Sequence, residues 1–453
     1  MRFQCPHCHA VLQSDEVSEG QEVECPACGR EFACEEFHHR PKVTVADDPD
    51  EGVKASRLAA QARDLIVDSI GIEKLQGFSL KSLFSKVFGR HEKGEVENAF
   101  TVGVPSTTPD IGDVDASWPR PWLFMRMLFA SVALYLLFLA GWEKTLNTNL
   151  LPGLILVGSF AIPISTLVFF FEINVRKNVS LYQIVKLFFL GGTLGILFSL
   201  GGFSGLEKLF GEDSFGAVVA GPVEETAKLL AVVGVARAVR YRYKLNGLLF
   251  GAAVGAGFAA FESAGYALSA CLEGVIEASA QAAQAAQANA VERAAETFFS
   301  GFFQTMSHTK NLILMRGALS PFAHVVWSAI AGAALWRVKR GRPFAFGMLS
   351  QGRFLRLFLV PVVFHMVWNS HWELPFYGKY LILGALAWIV VLSLLQEGLR
   401  EIREEQTKSR RGLPAPKTGA APAPETVREP DADAAGSAAP TDQPPKTETE
   451  PNP

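Results

Sequence analysis

Long apolar runs alternate with short polar loops through the middle of this 453-residue chain. Eight of these runs approach the roughly 20 apolar residues that a helix needs to cross a bilayer. The predicted spans are residues 122–141, 151–171, 184–203, 215–236, 245–271, 319–338, 354–370 and 377–396. Because a helix satisfies its backbone hydrogen bonds internally, the pattern predicts an all-α polytopic membrane protein with about eight transmembrane helices.

Basic residues are distributed unevenly among the loops that join these spans. The basic segments are 176–186, 237–244, 337–356 and 400–411, and the loops poor in Lys and Arg are 142–150, 204–214 and 371–378. Loops rich in Lys and Arg stay in the cytoplasm. We therefore expect a multi-pass protein of the cell (inner) membrane with both termini cytoplasmic.

The segment 271–318 fits none of the eight spans. Its Ala/Gln repeat at 281–287 favours a polar helix. Residues 298–316 contain enough Phe, Leu and Ile to lie on the membrane surface or to re-enter it. A ninth span here would reverse every later span, and the charges of the loops argue against that reversal.

The chain divides into parts that differ in composition. The whole-chain averages, 49% hydrophobic residues and a formal charge of −3, do not show these differences. Residues 37–117 are predicted to be a cytoplasmic linker with amphipathic segments, of which the basic patch at 81–90 is either soluble or membrane-surface helix. Residues 118–400 hold the spans. Residues 401–453 are rich in Pro, Ala, Glu and Thr and are expected to form a disordered cytoplasmic tail. No secretory signal and no nucleic-acid-binding feature is evident.

Two C-x-x-C pairs lie in residues 1–36. Cys5 and Cys8 form the first pair, and Cys25 and Cys28 form the second after sixteen intervening residues. This spacing is typical of a zinc ribbon, in which four thiolates bind one structural zinc ion. A redox pair is the alternative, but the duplication of the motif favours zinc. Since the segment has few apolar residues, the metal would supply its folding energy.

Four of the predicted spans carry polar or ionisable side chains that hydrocarbon disfavours. A charged side chain at the bilayer centre costs about 2.5–3.5 kcal/mol even on insertion scales. The residues concerned are Glu224, Glu225, Lys228, Glu262, His324, His365 and Asn369. With a rise of about 1.5 Å per residue, the six other than Lys228 fall between the bilayer centre and its extracytoplasmic face. We therefore expect them to meet in one site.

Helical spacing suggests different roles within this set. Glu224 and Lys228 share a helix face, whereas Glu224 and Glu225 diverge by about 100°. Pro222 just before them is expected to open the backbone beside a water-holding cavity. A carboxylate in such a place suits a general base that activates water. His324 and His365 would bind a catalytic divalent metal or polarise a carbonyl group.

These motifs resemble those of the PrsW family of intramembrane proteases, within the superfamily of CAAX-prenyl endopeptidases and bacteriocin-processing enzymes. Glu224-Glu225-x-x-Lys228 is similar to its E-E-x-x-K element, and Gly257-Phe258-Ala259-x-x-Glu262 to its G-F-A-x-x-E element, with Ser263 where Asn is commoner. His324, and His365-x-x-Trp368-Asn369, are similar to the remaining two elements. The resemblance covers about residues 122–396.

The resemblance implies an intramembrane endopeptidase that cleaves a single-pass membrane protein, such as an anti-sigma factor, in or next to the bilayer. On this interpretation Glu224 or Glu225 activates water, and Asn369 stabilises the oxyanion. Two other hypotheses stay open at this stage. A transporter or proton relay also uses intramembrane Glu and His, although no inverted repeat is apparent. A non-catalytic scaffold that grips a transmembrane partner would tolerate loss of the polar residues.

Overall fold

The computed structural model describes residues 2–4, 11–13, 22–24, 31–33, 67–73, 75–211, 216–236, 240–287 and 291–411. The chain divides into two compact units, Met1–Ala62 and Arg63–Pro453. The second unit starts well before the first predicted span.

The first unit contains two short antiparallel hairpins. Strand β1 (Arg2–Gln4) pairs with β2 (Val11–Gln13), and β3 (Glu22–Glu24) pairs with β4 (Glu31–Ala33). Residues 401–410 of the predicted disordered tail are helical, and Ile402 among them is buried. The four cysteines of the predicted zinc ribbon lie outside the described residues, and so do residues 412–453 of the predicted tail. Both remain predictions.

The described part of the second unit is helical. In chain order its helices are α1 (Leu80–Leu83), α2 (Lys93–Phe100), α3 (Leu123–Thr145), α4 (Leu151–Ile173), α5 (Leu181–Phe210, with a π-helical turn at Leu187–Gly191), α6 (Ala220–Ala236), α7 (Lys244–Gln287), α8 (Val291–Leu319), α9 (His324–Lys339), α10 (Gly352–Trp368) and α11 (Gly378–Arg410).

Six helical segments of the described chain are long and apolar enough to cross a membrane. They are Leu123–Thr145, Thr148–Ile173, Leu181–Phe210, Lys244–Gln287, Glu292–Lys339 and Pro375–Arg410. The other two predicted spans, 215–236 and 354–370, form α6 and α10, which have 17 residues each. At about 25 Å they are slightly shorter than the hydrocarbon core of a bilayer. The chain is therefore a multi-pass membrane protein, and the count of eight spans stays a prediction.

Residues 271–318, which the sequence pattern assigned to no span, form the end of α7 and nearly all of α8, and these two helices pack against each other in antiparallel directions. Helix α7 has 44 residues, so it is about 66 Å long. Its first half packs against α9, where Gly251 meets the backbone of Ser328, and its second half packs against α8, where Gly274 meets Thr305. Residues 298–316 thus lie along α7, in a helix that leads directly into α9. Helix α7 is therefore longer than the roughly 30 Å of hydrocarbon in a bilayer.

Glycines allow the helices around the site to approach closely. A Cβ atom at Gly255 of α7 would overlap the carbonyl oxygen of His324 on α9. A Cβ at Gly221 of α6 would lie 2.8 Å from the carbonyl oxygen of Val362 on α10. Small residues of this kind are the usual device for close helix packing in membranes. They place the polar side chains of α6, α7, α9 and α10 within hydrogen-bonding distance.

The predicted linker is partly folded onto the membrane-spanning unit. Val67, Ile70 and Ile72 are buried in the main hydrophobic core. The side chain of Gln406 on α11 donates hydrogen bonds to the carbonyl oxygens of Ile111 and Val114. The second half of the predicted linker is therefore a packed part of the second unit, because its apolar residues find partners there.

Candidate active site

Helix α6 carries two adjacent acids in different environments. Glu224 lines a cavity, whereas Glu225 is fully buried behind it, with none of its surface exposed. Pro222 lies in the first turn of α6, where its missing N–H breaks no helical hydrogen bond. It therefore lies in the first turn of a helix that begins at Ala220, whereas the sequence pattern predicted an opening inside a longer span.

The ammonium group of Lys228 lies between these acids and a histidine. Its Nζ is 2.6 Å from Glu225 Oε1 and 3.8 Å from Glu224 Oε2. It is also 3.0 Å from Nδ1 of His324 and 4.5 Å from the ring centroid of Phe258. Lys228 therefore pairs mainly with Glu225, although helical spacing alone predicted a pair with Glu224.

His365, on α10, contacts the same buried acid. Its Nδ1 is 3.0 Å from Glu225 Oε1. Because a carboxylate only accepts hydrogen bonds, Nδ1 carries the hydrogen and Nε2 keeps its lone pair. That Nε2 is 3.8 Å from Glu224 Oε2. The ring of Trp327 lies 4.8 Å from the His365 ring and limits its movement.

His324 is the first residue of α9, immediately after the break at Ser320–Phe322. Its Nε2 is 3.1 Å from Glu262 Oε2 on α7. An ammonium group has no acceptor, so Lys228 donates to Nδ1 of His324. The ring hydrogen of His324 is then on Nε2 and points to Glu262. Both nitrogens of His324 are thus engaged.

Arg316 on α8 completes the site and is absent from the predicted set. Its Nη2 is 2.6 Å from Glu262 Oε2, and its Nε donates to Ser263 Oγ at 3.2 Å. The guanidinium group also lies 4.3 Å from the ring centroid of Tyr266. The signal was present in the sequence, because Arg316 is the single ionisable residue in the apolar run 312–319. An intramembrane ionisable residue is a functional candidate by default.

These contacts form one continuous chain of polar groups across five helices, which we call the site cluster. In order, its members are Arg316, Glu262, His324, Lys228, Glu225 and His365, with Glu224 beside Lys228 and His365. The predicted site residues are therefore brought together, apart from Asn369, which lies nearby on the cavity wall.

The site cluster borders a cavity of about 440 Å³. Glu224, Glu262, Arg316, His324 and His365 line it together with Asn369, and Phe203 and Leu206 of α5 form part of its apolar wall. The amide nitrogen of Asn369 donates to the carbonyl oxygen of Ala217 at 3.2 Å. Among the described residues, the Oε2 atoms of Glu224 and Glu225 are buried without any hydrogen-bond partner. Since Glu224 lines the cavity, its unsatisfied buried oxygen indicates a site for a ligand, water or ion.

Three side chains of the cluster also meet the requirements of a metal site. Glu224, His324 and His365 each offer one ligand atom, and these atoms all lie within 4.8 Å of one another. A metal-binding histidine usually donates a hydrogen bond from its other ring nitrogen, often to a carboxylate. Both histidines do so here, His324 with Glu262 and His365 with Glu225. The donor set therefore fits a divalent cation.

Comparison with known proteins agrees with this geometry. Residues 180–395 match the family model described as PrsW family intramembrane metalloprotease. The matched region includes every residue of the site cluster and Asn369. No curated protein and no solved structure matches the chain. The chain is an intramembrane peptidase, as its resemblance to that family implied.

Proposed function

We propose that this peptidase hydrolyses a peptide bond of a single-pass membrane protein, such as an anti-sigma factor, within or near the outer half of the bilayer. The observation that supports this proposal is the pair formed by Glu224 Oε2 and His365 Nε2. The two atoms are 3.8 Å apart and border the cavity. Glu224 Oε2 has no hydrogen-bond partner among the described residues, and its distance from His365 Nε2 leaves room for a water molecule that contacts both atoms.

In the proposed mechanism, Glu224 is the general base. It takes a proton from the water as the water oxygen attacks the scissile carbonyl carbon, and His365 Nε2 orients that water by accepting its second hydrogen. When the C–N bond breaks, Glu224 returns the proton to the leaving amine nitrogen. The proton taken from the water thus ends on the leaving amine, and no second acid is needed.

The tetrahedral oxyanion needs hydrogen-bond donors placed before the reaction begins. Asn369 lies one turn beyond His365 on the cavity wall, and its amide group has a second N–H besides the one given to Ala217. We assign this N–H to the oxyanion. Glu225 and Glu262 act through the histidines, because each holds one ring nitrogen and so fixes the orientation of the ring.

A divalent cation fits the same side chains. Glu224, His324 and His365 would hold it, in which case Glu224 would be a ligand rather than the general base, and the bound cation would polarise the scissile carbonyl and lower the pKa of a bound water. The positioning roles of Glu225 and Glu262 are the same with or without the cation.

The decisive experiment is genetic and proteomic. In cells lacking the gene, a single-pass membrane protein should accumulate at full length, and the wild-type gene should restore its cleavage. Glu224→Ala, His324→Ala and His365→Ala should each fail to restore it, provided that the variants insert at normal levels. Because these groups act on one reacting centre, the losses should be large and far from additive.

His371→Ala is a matched control for His365→Ala. His371 follows α10 by three residues and is exposed, so its loss should leave cleavage intact. If a variant with all three site alanines still processes the same target, the chain acts on that target by another route, and the non-catalytic scaffold hypothesis replaces the proposed mechanism.

The proposed orientation has both termini in the cytoplasm of a cell with the chain in its inner membrane, with all eight predicted spans crossing. The loop charges support it. A reporter fused at Ala280 should be extracytoplasmic, and one fused at Arg342 should be cytoplasmic. A reporter at Arg342 that faces the outside would reverse the later spans and remove the outer-half location of the site.

We also propose that Cys5, Cys8, Cys25 and Cys28 bind one structural zinc ion. Each C-x-x-C pair falls between the two strands of a short antiparallel hairpin, a sequence arrangement that supports the ribbon. The full-length chain should carry one zinc more than a variant in which all four cysteines are serine. Equal zinc contents would exclude the ribbon.

A further inference from the structure

The site cluster contains more negative than positive side chains. Its carboxylates are Glu224, Glu225 and Glu262, and its cationic side chains are Lys228 and Arg316. With all three carboxylates ionised and both histidines neutral, one negative charge is left in excess. An uncompensated charge in a buried site is costly. The cluster therefore favours one further cation.

The ring nitrogens of His324 restrict where such a cation can bind. Nε2 is held by Glu262 at 3.1 Å, which leaves Nδ1 as the nitrogen for a metal ion. The Nζ atom of Lys228 is 3.0 Å from that Nδ1. A lone pair accepts one hydrogen bond or binds one metal ion, so the two contacts exclude each other.

Lys228 also has contacts that would hold it after this hydrogen bond is broken. Its Nζ is 2.6 Å from Glu225 Oε1 and 4.5 Å from the ring centroid of Phe258. Only the contact with His324 competes directly with metal binding through Nδ1. A small displacement of the ammonium group toward Glu225 and Phe258 would clear the histidine.

We propose that Lys228 is a built-in competitor for the divalent cation, and that its ammonium group holds His324 Nδ1 until the cation displaces it. This inference rests on the metal site included in the proposed function. It assigns two consequences to Lys228. The side chain lowers the affinity of the site for metal, and it keeps His324 and Glu225 in place when no metal is bound.

Titration with Co²⁺ tests the proposal, because its d–d absorption reports ligand binding without any measurement of cleavage. The experiment uses the purified full-length chain with Cys5, Cys8, Cys25 and Cys28 changed to serine, so that the predicted zinc ribbon does not bind Co²⁺. Lys228→Met should bind Co²⁺ about 10- to 100-fold more tightly than the parent, the range by which groups outside the ligand set change metal affinity. Adding His365→Ala should remove the absorption.

Two controls separate direct competition from a general effect of charge. Arg316→Gln removes one positive charge from the same cluster without touching His324 Nδ1, so its affinity should rise less than that of Lys228→Met. Lys339→Met removes a buried lysine from the far end of α9 and should leave affinity unchanged. Lys228→Gln, which keeps a polar side chain, replaces Lys228→Met if the latter does not elute as a folded monodisperse species.

An affinity of the folded Lys228 variant equal to or below that of the parent would overturn the proposal, as would an increase no larger than that of Arg316→Gln. Absence of Co²⁺ binding in every variant would also overturn it. The peptidase function is tested separately by substrate cleavage in chelator-treated wild-type protein. Cleavage that persists there would leave the function standing while this inference fails.

Discussion

Two buried groups of charged residues lie near opposite ends of α9, and they differ in how completely they are paired. The site cluster surrounds His324 at the start of the helix. The second group, here called the α11 cluster, consists of Arg242, Lys244, Arg337, Glu397 and Glu405 near its end. Both border cavities of similar size, about 440 and 450 Å³. Cavity volume and charge content therefore do not distinguish a functional site from a structural one.

Hydrogen bonding does distinguish them. In the α11 cluster, the two carboxylate oxygens of Glu397 bind Arg337 and Lys244, each at 3.1 Å, and Glu405 pairs with Arg242. In the site cluster, Glu224 and Glu225 each keep one buried oxygen without a partner among the described residues. A fully paired network fixes a structure, whereas unpaired buried groups cost free energy and are kept where they bind or react.

The largest expected effect is on the chemistry of the site cluster. Glu224→Gln keeps the shape of the side chain but removes the base, so the cleavage rate per folded molecule should fall about 10²- to 10⁴-fold. Glu225→Gln should cost less, about 10- to 100-fold, because Glu225 only positions His365. Rates with purified protein and the identified substrate in vesicles would measure both. An equal loss for the two variants would contradict the assignment of Glu224 as the base.

Much of this site was predictable because charged residues in apolar segments are costly and therefore conspicuous. Glu224, Glu262, His324 and His365 were identified from this property alone, and their common depth followed from helical rise. The alternating Lys and Arg content of the loops predicts the orientation of the spans, which stays a prediction.

Other features depend on three-dimensional pairing that a linear pattern does not contain. The break at Ser320–Phe322 makes His324 the first residue of α9, and this break brings α8 and Arg316 to the site. Which of two adjacent acids faces the cavity depends on the rotation of α6 about its axis, which is set by its packing against α5, α7, α9 and α10. The choice of Lys228 between Glu224 and Glu225 depends on side-chain geometry, because spacings of three and four residues are both favourable on a helix.

The second effect concerns stability and should appear only in the α11 cluster. Glu397→Ala leaves Arg337 and Lys244 without their shared partner in a largely buried place. Removing one member of a buried ion pair typically costs about 3–5 kcal/mol. Unfolding in mixed micelles should show a loss in this range, while cleavage per folded molecule stays within about twofold, because the cluster is remote from the reacting groups. A loss of cleavage without a loss of stability would mean that the α11 cluster is functional.

The smallest expected effect on stability comes from removing both partners of an ion pair. Double variants of this kind should show the clearest difference between the α11 cluster and the site cluster. Replacing buried ion partners together by apolar residues of similar size is often nearly neutral, because no charge is left alone. Arg242→Met with Glu405→Met should therefore change the free energy of unfolding by no more than about 1 kcal/mol, although Glu405→Met alone should be more destabilising.

In the site cluster, the double variant Lys228→Met with Glu225→Gln should also leave a folded chain. His365 would, however, lose the carboxylate that orients it. Cleavage should then fall about 10- to 100-fold with little change in unfolding. If both double variants cleave normally, pairing does not separate structural from catalytic charges in this protein. If both unfold, the two clusters are structural to the same degree.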